Sequence, residues 1–193
     1  MPNSNALKTN SFGPKKSTGQ LTRNLLKMAM LAPGRIHQLD DDQPHSIGLF
    51  PATRPIIDAL LDGGRSIYVT GTLSLGHGDE SLEHVDLPAR ADVVLCNEQD
   101  CPNFETLMSD HGRSGNTTLM IQCRSFFSGI LYHAAAKGST QAQKLRCSAF
   151  NGPLVHQRQK LIDSNKNRVD LLVVCGRQFF CIPADAELVT CAR

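Results

Sequence analysis

The chain reads as a single α/β domain, a mainly parallel or mixed sheet flanked by helices, behind a basic leader. Three observations predict this. Leu171-Leu172-Val173-Val174-Cys175-Gly176 is a short, wholly apolar run that stops on a glycine, the pattern of a strand buried on both faces. Ala91 to Cys96 and Thr117 to Cys123 read as two further strands. Helical segments alternate with the strands, and such alternation predicts βαβ units.

In chain order, residues 1–19 are rich in Asn, Ser, Gly, Lys and Pro and are expected to be disordered. Gln20 to Ala32 places Leu21, Leu25, Met28 and Leu31 at helical spacing, and Pro33-Gly34 ends the helix. Asp40-Asp41-Asp42-Gln43-Pro44 is a solvated polar turn. Residues 1–45 therefore form a basic flexible leader with one amphipathic helix, and residues 46–193 form the α/β domain. A helix from Pro55 to Leu61 opens on proline and closes at Asp62-Gly63-Gly64. Ser66 to Thr70 is a strand. After the polar loop 76–90 come the strands at 91–96 and 117–123. Phe126 to Ala136 predicts a helix ending at Gly138, and Leu154 to Ile162 another. Val169 to Cys175 is the buried strand, and Phe179 to Ile182 precedes an acidic turn with Asp185 and Glu187. Gly176 allows a tight turn or close approach of a ligand, at the strand end where open α/β sheets bind their ligands.

A length of 193 residues fits one domain. No apolar stretch approaches the roughly 18 residues of a spanning helix. The absence of Trp and the presence of only two Tyr argue against a base-stacking nucleic-acid module. The net charge of +2 hides an asymmetry. Residues 1–39 carry Lys8, Lys15, Lys16, Arg23, Lys27 and Arg35 and no acidic side chain, so the rest of the chain is mildly acidic and carries no patch for a polyanion. Such a leader also fits an organelle transit peptide. The seven cysteines are odd in number and follow no secretory signal, so they are expected to be reduced and the protein cytoplasmic.

Three clusters invite chemistry. His77-Gly78-Asp79-Glu80 with Glu83, His84 and Asp86 holds metal-capable side chains, at a spacing that matches no ligand motif. Cys96 and Cys101 make half of a zinc site without a second pair. Cys175, at a strand end, is the best placed thiol for nucleophilic chemistry, which needs a paired base. A phosphate-binding glycine loop, a nucleophile elbow and a dinucleotide fingerprint are absent from the sequence.

Several segments, taken in order over residues 46–192, resemble the 2-phosphosulfolactate phosphatase family, magnesium-dependent enzymes of coenzyme M biosynthesis. Pro51-Ala52-Thr53-Arg54-Pro55, continuing through Ala59-Leu60 to Gly63-Gly64, is similar to the family's Arg-Ala-Thr-Thr-Thr helix start and glycine turn. Leu95-Cys96-Asn97-Glu98 resembles its Ala-Gly-Glu-Arg stretch. Phe104 to Ser109 stands where the family has Phe-Asp-Leu-Gly-Asn-Ser-Pro, and Gly115 to Gln122 corresponds to the strand before Thr-Asn-Gly-Thr. Ser148-Ala149-Phe150-Asn151 resembles Ser-Phe-x-Asn, and Val173 to Gly176 with Phe180 resembles the final Cys-Ala-Gly and Phe-Ser-Leu-Glu-Asp segment.

The resemblance implies Mg²⁺-dependent hydrolysis of a phosphate ester on a small acidic substrate. Arg54 and Arg124 would hold the anion, Glu98 and Asp185 would bind Mg²⁺ or its water, and Asn151 would orient the substrate. The departures fall on polar positions. The family's Asp falls at Gly48, its Arg at Pro51, its Asn-Gly pair at Arg124-Ser125, and its Glu-Asp pair survives only as Asp185. Phosphoryl transfer needs cations and a positioned nucleophile, so the same residues also fit a catalytically silent homologue that acts as a binding or interaction scaffold.

Overall fold

The computed structural model describes residues 18–40, 48–62, 64–71, 73–75, 82–107, 116–163 and 169–191. Seven strands form the main sheet in the order β1-β9-β8-β5-β4-β2-β3. They are β1 (His37–Gln38), β2 (Ser66–Val69), β3 (Glu83–His84), β4 (Val93–Asn97), β5 (Thr117–Gln122), β8 (Val169–Cys175) and β9 (Gln178–Ile182). The five strands from β3 to β8 are parallel, and β8, β9 and β1 pair antiparallel. The fold class is therefore α/β with a mixed, mostly parallel sheet. A second sheet, β10-β6-β7, is antiparallel. It is built from β6 (Leu131–Ala135), β7 (Gln143–Arg146) and β10 (Glu187–Thr190).

Side-chain alternation divides the main sheet into two apolar faces. Val93, Leu95, Met120, Leu172, Val174, Phe179 and Cys181 face α1 (Thr18–Leu31) and α2 (Thr53–Leu61). Val94, Cys96, Leu119, Ile121, Leu171, Val173, Phe180 and Ile182 face the other way. There α3 (Phe104–Leu107), α4 (Gly152–Asp163) and the small sheet cover them with Phe104, Leu154, Tyr132, Leu145 and Leu188. Each fully buried aliphatic or aromatic side chain contributes about 1.5–3 kcal/mol, so β4, β5 and β8, covered on both faces, anchor the fold.

The leader divides. Residues 1–17 and 41–47 lie outside the described residues. Between them α1 docks through Thr22, Leu26 and Ala29, and β1 adds an edge strand to β9. Helix α2 begins at Thr53 rather than Pro55, because the first turn has no intrahelical N–H bonds to lose and accepts proline there.

The helix expected over Phe126 to Ala136 is not formed. Residues 126–130 bend, and Leu131–Ala135 is the strand β6, with Tyr132 and Ala134 inward at period two. Gly129 breaks the segment at φ +93°, where an added Cβ would lie 2.7 Å from the Cys147 carbonyl. Pairing with β7 on one side and β10 on the other supplies the ladder that overrides the helix propensity of three alanines.

Candidate functional site

The connections set where a ligand belongs. From β2 the chain passes outward to β3, then crosses back to β4 and moves on through β5 to β8. The carboxyl ends of β2 and β4 therefore flank a topological switch point, the ligand crevice of open α/β sheets. Gly71, just past β2, has φ +66°, and an added Cβ would lie 2.4 Å from Asp100 Oδ2 in the loop past β4. The positive φ favours glycine at this position, and a larger residue would also displace the Asp100 carboxylate. Beside it, Thr70 Oγ1 is buried without a partner among the described residues.

Two polar clusters occupy the carboxyl edge. On the α2 side, Gln122 ends β5 at 2% exposure. Its Oε1 accepts from Phe50 N (2.8 Å) and Thr53 Oγ1 (2.6 Å), and its Nε2 donates to Gly48 O (3.0 Å) and Asn97 Oδ1 (3.1 Å). All four hydrogen-bonding positions of the amide are used, so Gln122 locks β4, β5 and the start of α2 together.

On the opposite side, Glu98 follows β4 and Arg124 follows β5. Glu98 N donates to Gln122 O (2.9 Å). Its carboxylate accepts from the Arg124 backbone N–H, Arg124 Nε and the Ser148 hydroxyl. Ser148 Oγ also accepts from Ser125 N (3.1 Å). Burial alone would raise the Glu98 pKa, but the hydrogen bonds from Ser148 and Arg124 outweigh it and hold the carboxyl below its ordinary value. The Glu98 side chain is 7% exposed and that of Arg124 is 77% exposed. The pair is a buried carboxylate orienting an exposed guanidinium. Arg124 Nη1 and Nη2 have no partner among the described residues.

Glu98 and Arg124 are thus brought together. Asn151 caps α4, its Oδ1 accepting from Leu154 N at 2.8 Å, which places the helix N-terminus three residues beyond Ser148 at this same edge. Capping rather than substrate contact is the role the geometry gives Asn151. Arg54 stands on α2 across the sheet, its Nε on Asp58 (2.8 Å) and its Nη1 on Leu75 O (3.0 Å), so it does not converge with Arg124.

Asp185 does not belong to the site. Strand β9 runs back along β8, so the turn after Ile182 lies at the amino edge, where Ala184 N bonds Asp170 Oδ1 at 2.7 Å. Burial lowers the pKa of Arg158 there, and Asp170 and then Asp185 oppose that shift. A separation of roughly five residues along a strand, on the order of 15 Å, keeps Glu98 and Asp185 from sharing one Mg²⁺, whose ligands stand about 2 Å from the ion.

The thiols are all free. Cys175 Sγ donates to Arg124 O (3.5 Å). Burial first, and then Cys123, push its pKa up, opposite to what a nucleophile requires. Cys96 and Cys101 interact directly, which lowers the pKa of Cys101 against the effect of its burial and raises that of Cys96. Among the described residues there is no group of three His, Cys, Asp or Glu that could hold a metal ion. His77 to Glu80 lie outside the described residues, and Glu83, His84 and Asp86 are exposed. Among the described residues no helix is long and apolar enough to cross a membrane.

Ser148 and Gln122 are the site residues that sequence reasoning did not assign. Gln122 has a sequence signal, a polar side chain ending an apolar run. Ser148 has none, because its partner Glu98 is 50 positions away. Fold and edge together define an open α/β protein with an oriented cation at the carboxyl edge of its main sheet. No family model matches the chain, and no curated protein matches it.

Proposed function

We propose that this chain binds a small anion, a phosphomonoester or a carboxylate of hydroxy-acid type, at the carboxyl edge through Arg124, and does so without Mg²⁺-dependent hydrolysis. One observation carries the reading: the Arg124 guanidinium, 77% exposed, is held at Nε by a buried carboxylate. Fixing Nε sets the plane of the group in advance and leaves the two terminal amino groups as a fork for an oxyanion. The N-terminal end of α4 at the same edge adds positive potential. The resemblance to the 2-phosphosulfolactate phosphatases supplies the ligand class, a small acidic phosphate ester.

Hydrolysis is set aside on chemical grounds. Charge spreading over phosphoryl oxygens calls for a metal or several cations, and attack calls for an activated water. Glu98, the carboxylate nearest Arg124, is already occupied by Ser148 and Arg124, and Asp185 stands at the other end of the sheet. The silent-scaffold alternative accounts for both facts.

Calorimetric titration with phosphate and with 3-phosphoglycerate tests the reading, beside Arg124→Ala and Arg124→Lys. Loss of a bidentate charge-assisted contact costs about 2 kcal/mol, so Arg124→Ala weakens binding roughly 30-fold. Lysine, a point charge, restores only part of it. Equal affinity in Arg124→Ala would refute the site. Phosphate release that requires Mg²⁺ and disappears in Glu98→Gln would establish the hydrolytic reading instead.

A further inference from the structure

A cavity of about 630 Å³ opens on the α1 and α2 face of the main sheet, at its amino edge and so at the end opposite Arg124. Helix α1 supplies one wall with Leu26 and Met30, and the last turn of α2 supplies another with Ala59 and Leu60. Leu172 of β8 and Cys181 of β9 form the floor. The volume falls in the range of small-molecule sites, about 300–1,000 Å³. Among the described residues the lining holds no aromatic ring, so nothing there stacks on a planar group. Aliphatic walls suit a saturated chain.

The mouth is basic. Arg23, Lys27 and Arg65 stand at it, all exposed. Arg23 pairs with Asp62. Among the described residues no ion pair joins Lys27 or Arg65 to an acid. Asp170 is the one carboxylate in the lining, and its Oδ1 already accepts from Ala184 N at 2.7 Å. An apolar interior under a cationic mouth is complementary to an alkyl tail with an anionic head. Residues 1–17 carry Lys8, Lys15 and Lys16 and no acid, so like charge disfavours that segment as the occupant.

We propose that this cavity binds a single-chain fatty carboxylate, its tail between α1 and α2 and its head at the Lys27 and Arg65 mouth. The site is separate from the carboxyl edge and does not rest on anion binding by Arg124.

Calorimetric titration of the full-length protein with octanoate, decanoate and laurate, each below its micelle concentration, tests the proposal. Burying one methylene tightens binding roughly fourfold. Each step of two carbons should therefore gain about fifteenfold, at one ligand per chain. Dodecyltrimethylammonium, the same chain length with a positive head, should bind at least roughly tenfold more weakly than laurate. Lys27→Glu combined with Arg65→Glu should weaken laurate roughly tenfold. Ala59→Trp fills the cavity and should abolish laurate binding while keeping a cooperative melt. The charge-reversal pair lies on the surface and decides the question if Ala59→Trp does not fold. The proposal fails if no chain length binds, as when residues 1–17 or a second copy fill the cavity. It fails if the cationic amphiphile binds as well as laurate, or if charge reversal leaves laurate affinity unchanged. It fails also if laurate binding survives Ala59→Trp and is lost in Arg124→Ala, which would put the carboxylate at the other edge.

Discussion

The two ends of the main sheet each carry an arginine near a carboxylate, and they use it in opposite ways. At the carboxyl edge the acid is buried and the arginine exposed: Glu98 is fixed by Ser148, and Arg124 reaches into solvent. At the amino edge the arginine is buried and the acids lie at the rim. Arg158 is 2% exposed and donates to the Pro183 and Ala186 carbonyls. Burial pulls its pKa down to about 10 while Asp170 and Asp185 pull upward. The other acids of that edge also serve the backbone: Asp92 accepts from Ser66 N and Oγ, and Asp170 from Ala184 N. Arg158 gives both terminal amino groups to the chain and acts as a clamp, while its buried Nε has no partner among the described residues. An arginine held only at Nε keeps donors for something else. That difference explains why Asp185, acidic and set in a family-like stretch of sequence, belongs with stability rather than with the site.

The comparison is sharpest in Arg158→Ala. Two carbonyls lose their donor and a cavity opens between α4 and the 183–186 turn, so the loss is about 3 kcal/mol, or roughly 10 °C in Tm. Phosphate affinity should not change. Weakened anion binding alongside a normal melt would put a functional group at the wrong edge.

Gln122→Leu comes next. It leaves Thr53, Phe50 N, Gly48 O and Asn97 without their shared partner, at a cost on the order of 2 kcal/mol, read by urea denaturation. A neutral outcome would mean that water replaces the amide and that the carboxyl edge is not locked from the α2 side.

Glu98→Gln has a smaller, pH-dependent effect. The folded-state pKa of Glu98 is lowered from 4.5, so its contribution is fully present above that value and is lost as pH falls through the lower folded value. Wild-type Tm should therefore drop more steeply than that of Glu98→Gln between about pH 5 and pH 3. Parallel curves would show that the carboxylate is not stabilised by its partners.

The smallest effect on stability falls on the residue with the largest expected effect on binding. Arg124→Ala should shift stability by no more than about 0.5 kcal/mol, because an exposed ion-pair partner contributes little. A larger loss would make Arg124 a clamp like Arg158 and remove the contrast between the two edges.

Much of this molecule was legible as sequence wherever periodicity and burial coincide. The β4, β5 and β8 runs are apolar because both of their faces are covered. Helix α2 shows Ile56, Ile57 and Leu61 on one side, all buried. The small sheet was not legible. Only two inward residues of β6 and one of β7 are buried, too few to show a period, and residues 126–136 matched a helix equally well. The site divides along the same line. Glu98 and Arg124 are polar residues directly after strand ends, where an α/β chain places its ligand groups. Their shared partner Ser148 enters from a connection that local pattern does not reveal.

The sequence by itself determined the class of fold, the central strands and the helices α1, α2 and α4, because hydrophobic period and strand–helix alternation act over a few residues at a time. Tertiary structure decided which polar residues meet. It set Glu98 beside Arg124 through parallel register and sent Asp185 to the far edge by reversing β9. Those outcomes depend on strand order and direction, which arise from the packing of the whole chain rather than from the composition of any one segment.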